Sequence, residues 1–129
     1  MPVPGGNGSN QALIIIDDEP AIRELAQTAL GMHGFRVYEA SDGGEALEMI
    51  KKDDLDIGVA IVDLSLPDIN GVELTGKLLQ IRPELKIVIS TGSDIADIDI
   101  DIRGIGAKGY IEKPYRMSDL LALVQDLMR

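Results

Sequence analysis

The chain contains no cysteine. Disulfide staples, thiolate nucleophiles and cysteine-ligated metal sites are therefore excluded, and a reducing compartment is compatible with the composition. Histidine occurs once, at His33, which removes multi-histidine metal motifs and two-histidine acid–base chemistry. Tryptophan is absent, and the aromatic residues are Phe35, Tyr38, Tyr110 and Tyr115. These are too few to form platforms on which bases stack. No apolar run approaches the roughly 18 residues of a membrane-spanning helix. The N-terminus lacks the cationic start and apolar stretch expected of a signal peptide. Positive charge is also scarce: 12 Lys and Arg stand against 22 Asp and Glu, a formal net charge of −10. Such a surface repels phosphate backbones and anionic headgroups, so neither nucleic acid nor a membrane is an expected partner of this chain.

What remains is an ordinary globular composition. The 129 residues are 45% hydrophobic, enough for one domain with its own core. Residues 1–11, MPVPGGNGSNQ, carry two prolines and three glycines with little apolar bulk. They read as a flexible tail or linker, and residues 12–129 as a single domain without internal repeats. Ala12–Ile16 is a short apolar run rich in β-branched residues, the mark of a strand buried on both faces. Pro20 suits the first turn of a helix, with Ile22, Leu25, Ala26, Ala29 and Leu30 on one face and Gly34 as its stop. A second strand is expected over Phe35–Ala40. Asp42 with Glu45 then makes a capping-box-like start for a helix that buries Ala46, Leu47 and Ile50. Strands follow at Ile57–Val62, Ile87–Ser90 and Gly109–Ile111, and helices at Val72–Gln80 and Met117–Met128. This alternation implies right-handed crossovers and a parallel sheet with helices on both faces.

The segment 94–106 fits least well. Ile98, Ile100 and Ile102 alternate with aspartates, a period-2 pattern that alone argues for a strand. Its place in the alternation calls for a helix, and a short or poorly formed helix is the expectation. The acids at 97, 99 and 101 lack the glycine and distal glutamate of a calcium loop and read as a solvated face.

Three acids stand at the ends of two expected buried strands: Asp17 and Asp18 after the first, Asp63 after the third. If those strands are neighbours, the carboxylates converge where ligands of such sheets bind. Converging carboxylates repel unless some are protonated or a cation is present. Hard oxygen donors without nitrogen or sulfur favour Mg²⁺ over Zn²⁺. A lone acid at a strand end needs no such reading, but three acids at two strand ends favour a site. Thr91 after the fourth strand adds a hydroxyl, and Lys113 after the fifth adds an ammonium. Each alone would pass for a turn residue or a solvated charge. Together the set suits acceptance of a phosphoryl group on a carboxylate.

The blocks IIIDDEP, IVDLSLPDING, VISTG and YIEKPY resemble, in order and spacing, the signature blocks of response-regulator receiver domains of the CheY-like superfamily. The resemblance covers essentially residues 12–129. It implies an α/β, flavodoxin-like, doubly wound (βα)5 fold whose five-stranded parallel sheet has strand order 2-1-3-4-5. It implies a phosphoacceptor module of two-component signalling, with Asp63 as the phosphoacceptor. Asp18 resembles the direct Mg²⁺ ligand, with Mn²⁺ as an alternative ion. Asp17 would act largely through water, and the backbone carbonyl of Ser65 would be a further ligand. Thr91 resembles the switch hydroxyl and Tyr110 the aromatic switch. Lys113 resembles the lysine that pairs first with the nucleophile and then with the phosphoryl oxygen, in a Lys113–Pro114 bond expected to be cis.

The implied donor is a histidine kinase or histidine phosphotransfer protein. The implied target is a downstream protein or an attached domain, and the fourth and fifth strand–helix units would form the face of a homodimer. Such a module is cytoplasmic and catalyses its own phosphorylation and dephosphorylation, and it is not a turnover enzyme. Ser65 and Ser93 occupy the tuning positions two residues after Asp63 and Thr91. Both are small enough to admit water to an acyl phosphate, although a fit to tight turns explains them equally. The expected contexts are a stand-alone regulator, a receiver excised from a hybrid histidine kinase, or the receiver half of a longer regulator, and the glycine-rich start favours a tethered one.

Some features depart from the family pattern. The composition of 94–106 is poor for a helix, Tyr115 stands where Phe is commoner, and Gly58 and Gly76 interrupt a strand and a helix without evident purpose. Two other classes compete. Haloacid-dehalogenase-type phosphatases need D-x-D after the first strand, where this chain has Asp17-Asp18-Glu19. A phosphorylation-independent binding module would not need Asp18, Asp63, Thr91 and Lys113 together. His33 reads as an ordinary residue at a helix C-terminus.

Overall fold

The computed structural model describes residues 12–92 and 101–128. The expected tail over 1–11, Ser93 and the first part of the irregular segment lie outside the described residues. Among the described residues the elements run β1 (Ala12–Ile16), α1 (Pro20–Gly31), β2 (Arg36–Ala40), α2 (Gly43–Ile50), β3 (Ile57–Asp63), α3 (Gly71–Ile81), β4 (Lys86–Thr91), β5 (Gly109–Glu112) and α4 (Met117–Leu127). A 3-10 turn at Asp53–Leu55, which the sequence pattern did not signal, leads into β3. The five strands form one sheet in the order β2-β1-β3-β4-β5, and every pairing is parallel.

The continuous apolar runs are explained by the two-sided core. Alternate residues of β1 point to opposite faces. Ile14 and Ile16 join Ala60, Val62, Ile87 and Ile89 beneath α2 and α3, through Ala46, Ile50, Leu74 and Leu78. Leu13 and Ile15 join Val59, Ile61 and Val88 beneath α1 and α4, through Ala26, Leu30, Leu120 and Val124. Full burial of one such Leu or Ile contributes about 1.5–3 kcal/mol, and the strands supply several per face.

Helix ends follow local chemistry. Pro20 occupies the first turn of α1. At its far end Gly34 takes φ +86°. The Phe35 N–H then reaches the Leu30 carbonyl and the Gly34 N–H the Gly31 carbonyl, the paired bonds of a glycine-terminated helix. The His33 ring nitrogen Nδ1 lies 3.1 Å from the Ala29 carbonyl, so this histidine belongs to the helix end. Asp42 accepts from the Glu45 N–H at 2.8 Å, as the capping box requires. The Glu45 carboxylate returns to the N–H of Ser41 at 2.6 Å rather than to that of Asp42. Residues 102–106, within the segment 94–106 expected as a short or poorly formed helix, form turns, and 94–100 lie outside the described residues. These turns carry the same terminal pattern: Gly106 has φ +96°, and the Ala107 N–H donates to Ile102 and the Gly106 N–H to Arg103. Gly104 and Gly106, with Ile102 and Ile105, are weak helix formers.

Candidate functional site

β1 lies between β2 and β3, so the strand order reverses beside the ends of β1 and β3, and the crevice opens there. Asp17 follows β1 directly and Asp63 is the last residue of β3. Asp17, Asp18 and Asp63 each place a carboxylate oxygen within 4.8 Å of the others. Asp17 and Asp63 are buried, whereas Asp18 is exposed. The cluster therefore has an inner wall of two acids and an outer acid in contact with solvent.

The fifth strand brings the compensating cation. Lys113 follows β5, and its backbone N–H donates to the Thr91 carbonyl at 2.7 Å. Its Nζ lies 2.7 Å from Asp17 Oδ2, 3.2 Å from Asp63 Oδ2 and 3.5 Å from the exposed Glu19. Burial opposes the charged form of Lys113. The hydrogen bond and charge of Asp17, with the charge of Asp63, outweigh it and raise its pKa. Burial raises the pKa of Asp17 against the pull of Lys113 and of the Glu19 N–H, and the neighbouring Asp63 charge adds to the rise. The site thus holds more negative charge than its burial favours. The Lys113–Pro114 peptide is cis, as the resemblance implied.

Ser65 stands just past Asp63, and its N–H donates to Asp63 Oδ1 at 3.1 Å. The two Asp63 oxygens are therefore held separately, one by the backbone and one by Lys113. Thr91 ends β4 and is buried at the same sheet edge. Tyr110 lies on the edge strand β5 opposite Ile89 and is 45% exposed, outside the acid cluster. Ser93 lies outside the described residues.

Some residues that shape the site carried no signal in the linear pattern. Arg23, on the first turn of α1, donates to the Asp17 carbonyl at 2.7 Å and to Glu39 of β2 at 3.2 Å. A cation near a helix N-terminus runs against the helix dipole, and that mismatch was the available clue. Tyr115 is buried on the α1–α4 side of the sheet. Burial, then the charge of Asp17, pushes its phenol up to about 12. Asp68 of the β3–α3 loop accepts from the first two N–H groups of α2. Those bonds hold its carboxyl below the usual carboxylate range.

Comparison with known proteins agrees with this geometry. The sequence pattern of the response regulator receiver domain matches residues 13–125. The response regulator MprA of Mycobacterium leprae is 32% identical over 117 residues, covering 91% of this chain and 50% of that protein. The chain thus spans about half the length of the curated relatives it matches. A CheY-like receiver domain protein from Methanospirillum hungatei superposes with a TM-score of 0.83 at 30% identity, covering 92% of this chain and 93% of that one. A response regulator from Burkholderia pseudomallei, solved with a phosphorylated aspartic acid, a calcium ion and citrate, gives a TM-score of 0.78 at 26% identity, covering 92% of this chain and 68% of that one. The chain belongs to the response regulator receiver domain family. Receiver domains of this family are phosphoacceptor modules of two-component signalling rather than turnover enzymes. Among the described residues, no helix is long and apolar enough to cross a membrane.

Proposed function

We propose that Asp63 is the residue that accepts the phosphoryl group, and that Asp17, Asp18, Thr91 and Lys113 serve it. The observation that carries this reading is the Lys113 ammonium set between the buried carboxylates of Asp17 and Asp63, with Asp18 open to solvent beside them. The donor set is all hard oxygen, and the exposed Asp18 gives an ion a way in, so the residues fit Mg²⁺. Asp18, Asp63 and the Ser65 carbonyl would hold it, with Asp17 acting through water, and Mn²⁺ is the alternative ion. When bound, the ion screens the approach of one anion to another and neutralises phosphoryl charge.

An Asp63 carboxylate oxygen attacks the phosphorus of a phosphohistidine on a histidine kinase or phosphotransfer protein. The P–O bond forms and the P–N bond breaks, its electron pair going to the ring nitrogen; the proton carried by the other ring nitrogen of the phosphohistidine lets imidazole leave neutral. The Ser65 N–H and Lys113 orient the two carboxylate oxygens for this step. Lys113 then shifts its contact to a phosphoryl oxygen, which offsets the added charge. Thr91 turns its hydroxyl to another phosphoryl oxygen, and Tyr110 swings inward to fill the space. The region between residues 92 and 116 then presents the altered surface to a downstream protein or an attached domain. Ser65, small and exposed two residues past Asp63, leaves the acyl phosphate open to water, which shortens its lifetime. The module works in the cytoplasm. Intact-mass analysis after acetyl phosphate treatment tests the reading: wild type gains one phosphoryl group when Mg²⁺ is present, and Asp63→Asn gains none. Full labelling of Asp63→Asn overturns it.

A further inference from the structure

Three contacts fasten the loop between Asp63 and α3 to itself and to the first residues of that helix. Ser65 and Asn70 form an antiparallel bridge. The Gly71 N–H donates to the Leu64 carbonyl at 3.2 Å. Asn70 Oδ1 accepts from Val72 N–H at 2.7 Å. Gly71 makes this closure tight, because a Cβ there would lie 2.7 Å from the Asp63 carbonyl oxygen and 2.8 Å from Leu64 Cα. The loop that carries Ser65 is therefore a compact unit whose placement depends on what holds it to the rest of the fold.

At its inner end the Leu64 N–H donates to the Ser90 carbonyl at 3.0 Å and the Ser65 N–H to Asp63 Oδ1 at 3.1 Å; its outer end is held by Asp68 and Ile69. Asp68 Oδ1 accepts from the Gly43 N–H and Oδ2 from the Gly44 N–H, each at 2.9 Å. Both donors belong to the first turn of α2, whose N–H groups have no partner within the helix and favour an anion. Asp42 satisfies the next donor, Glu45 N–H, at 2.8 Å, so the two acids divide the helix start between them. Ile69 lies directly against Gly43, where a Cβ would fall 2.2 Å from its Cγ2. One carboxylate with two parallel bonds and one apolar contact thus join the loop to α2 across 25 residues of sequence.

We propose that Asp68 is a positioning residue for the phosphoacceptor site: its two-pronged grip on α2 sets the β3–α3 loop so that the Ser65 carbonyl stays beside Asp63. The proposal rests on the phosphoacceptor reading above and adds a residue that touches neither ion nor phosphoryl group. Asp42 provides the internal control. It caps the same helix, but the partner it holds is Glu45 rather than the loop. Loss of either acid weakens the start of α2, whereas only loss of Asp68 releases the Ser65 loop.

The experiment is a Mg²⁺ titration of the full chain followed by amide NMR, with urea unfolding run in parallel. Asp68→Ala is expected to bind Mg²⁺ about 10-fold more weakly, the scale seen when a partner of a metal ligand is removed, and Asp68→Asn, with one acceptor oxygen left, falls between it and wild type. Asp42→Ala loses comparable stability but keeps the wild-type affinity. Unchanged affinity in Asp68→Ala overturns the proposal, as does an equal loss in Asp42→Ala, which would assign the effect to helix stability. If Asp68→Ala does not fold, the affinity of Asp68→Asn decides in the same way. Wild-type protein that binds no Mg²⁺ overturns the reading of the site and the clamp with it. Binding by wild type that Asp68→Ala matches overturns the clamp alone.

Discussion

Replacing Lys113 by Met keeps most of the stem volume and deletes the charge. The side chains of Asp17 and Asp63 are 0% and 5% exposed, so they would face each other without the ammonium that both now contact. At an effective dielectric near 20, two unit charges 4.8 Å apart repel by about 3 kcal/mol. Breaking a buried ion pair from one side costs about 3–5 kcal/mol, and water entering past Asp18 and Glu19 reduces this, so the expected loss is about 2–4 kcal/mol. The assay is urea unfolding followed by far-ultraviolet circular dichroism in EDTA, since the chain has no tryptophan to report by fluorescence. Saturating Mg²⁺ should restore more stability to Lys113→Met than it adds to wild type, because the ion and the ammonium neutralise the same carboxylates. A variant within about 0.5 kcal/mol of wild type in EDTA, the range of an ordinary surface change, would refute the placement of Lys113 as the counter-charge of both acids.

Other outcomes follow from the same geometry. The pKa of Asp17 is raised in the folded state, so folding binds extra protons. Its charge therefore costs stability above that raised value, and the cost vanishes below the ordinary 3.8. Asp17→Asn should thus be more stable than wild type at neutral pH without Mg²⁺, and the difference should close on acidification; unfolding midpoints across pH check this. Gly76 sits exposed in α3, where an added Cβ would meet nothing within 4 Å. Gly76→Ala should raise stability by about 0.5–1 kcal/mol without changing phosphorylation, as measured by urea midpoint and acetyl phosphate labelling.

The elements and the acid cluster were legible in the sequence because each rests on a local pattern. Short β-branched runs such as ALIII and IGVAIV have no amphipathic helical period, and their burial on both faces follows from the parallel sheet. Asp17, Asp18 and Asp63 were legible because they close those runs. Gly34 was legible as a stop because the turn there needs a positive φ. The strand order followed from the resemblance, not from periodicity. What escaped reading depends on distance in sequence. Asp68 meets Gly43 and Gly44 only after folding, and the linear pattern showed only Asp42 with Glu45 at that helix start. Arg23 reaches a backbone carbonyl, a partner that no side-chain pattern encodes. The turns at 102–106 end as a helix ends, although the Ile–Asp alternation before them has the period of a strand. Gly58 and Gly76 keep no packing reason: their added Cβ atoms would meet open space or ordinary contacts.

The most direct test of the account is whether Asp63 itself carries the phosphoryl group. Wild type and Asp63→Asn are treated with acetyl phosphate, with Mg²⁺ or with EDTA, and the intact mass and the modified peptide are read. Wild type should gain one phosphoryl group, mapped to Asp63, dependent on Mg²⁺ and absent from Asp63→Asn. A phosphoryl group mapped elsewhere, or retained in Asp63→Asn, would contradict it.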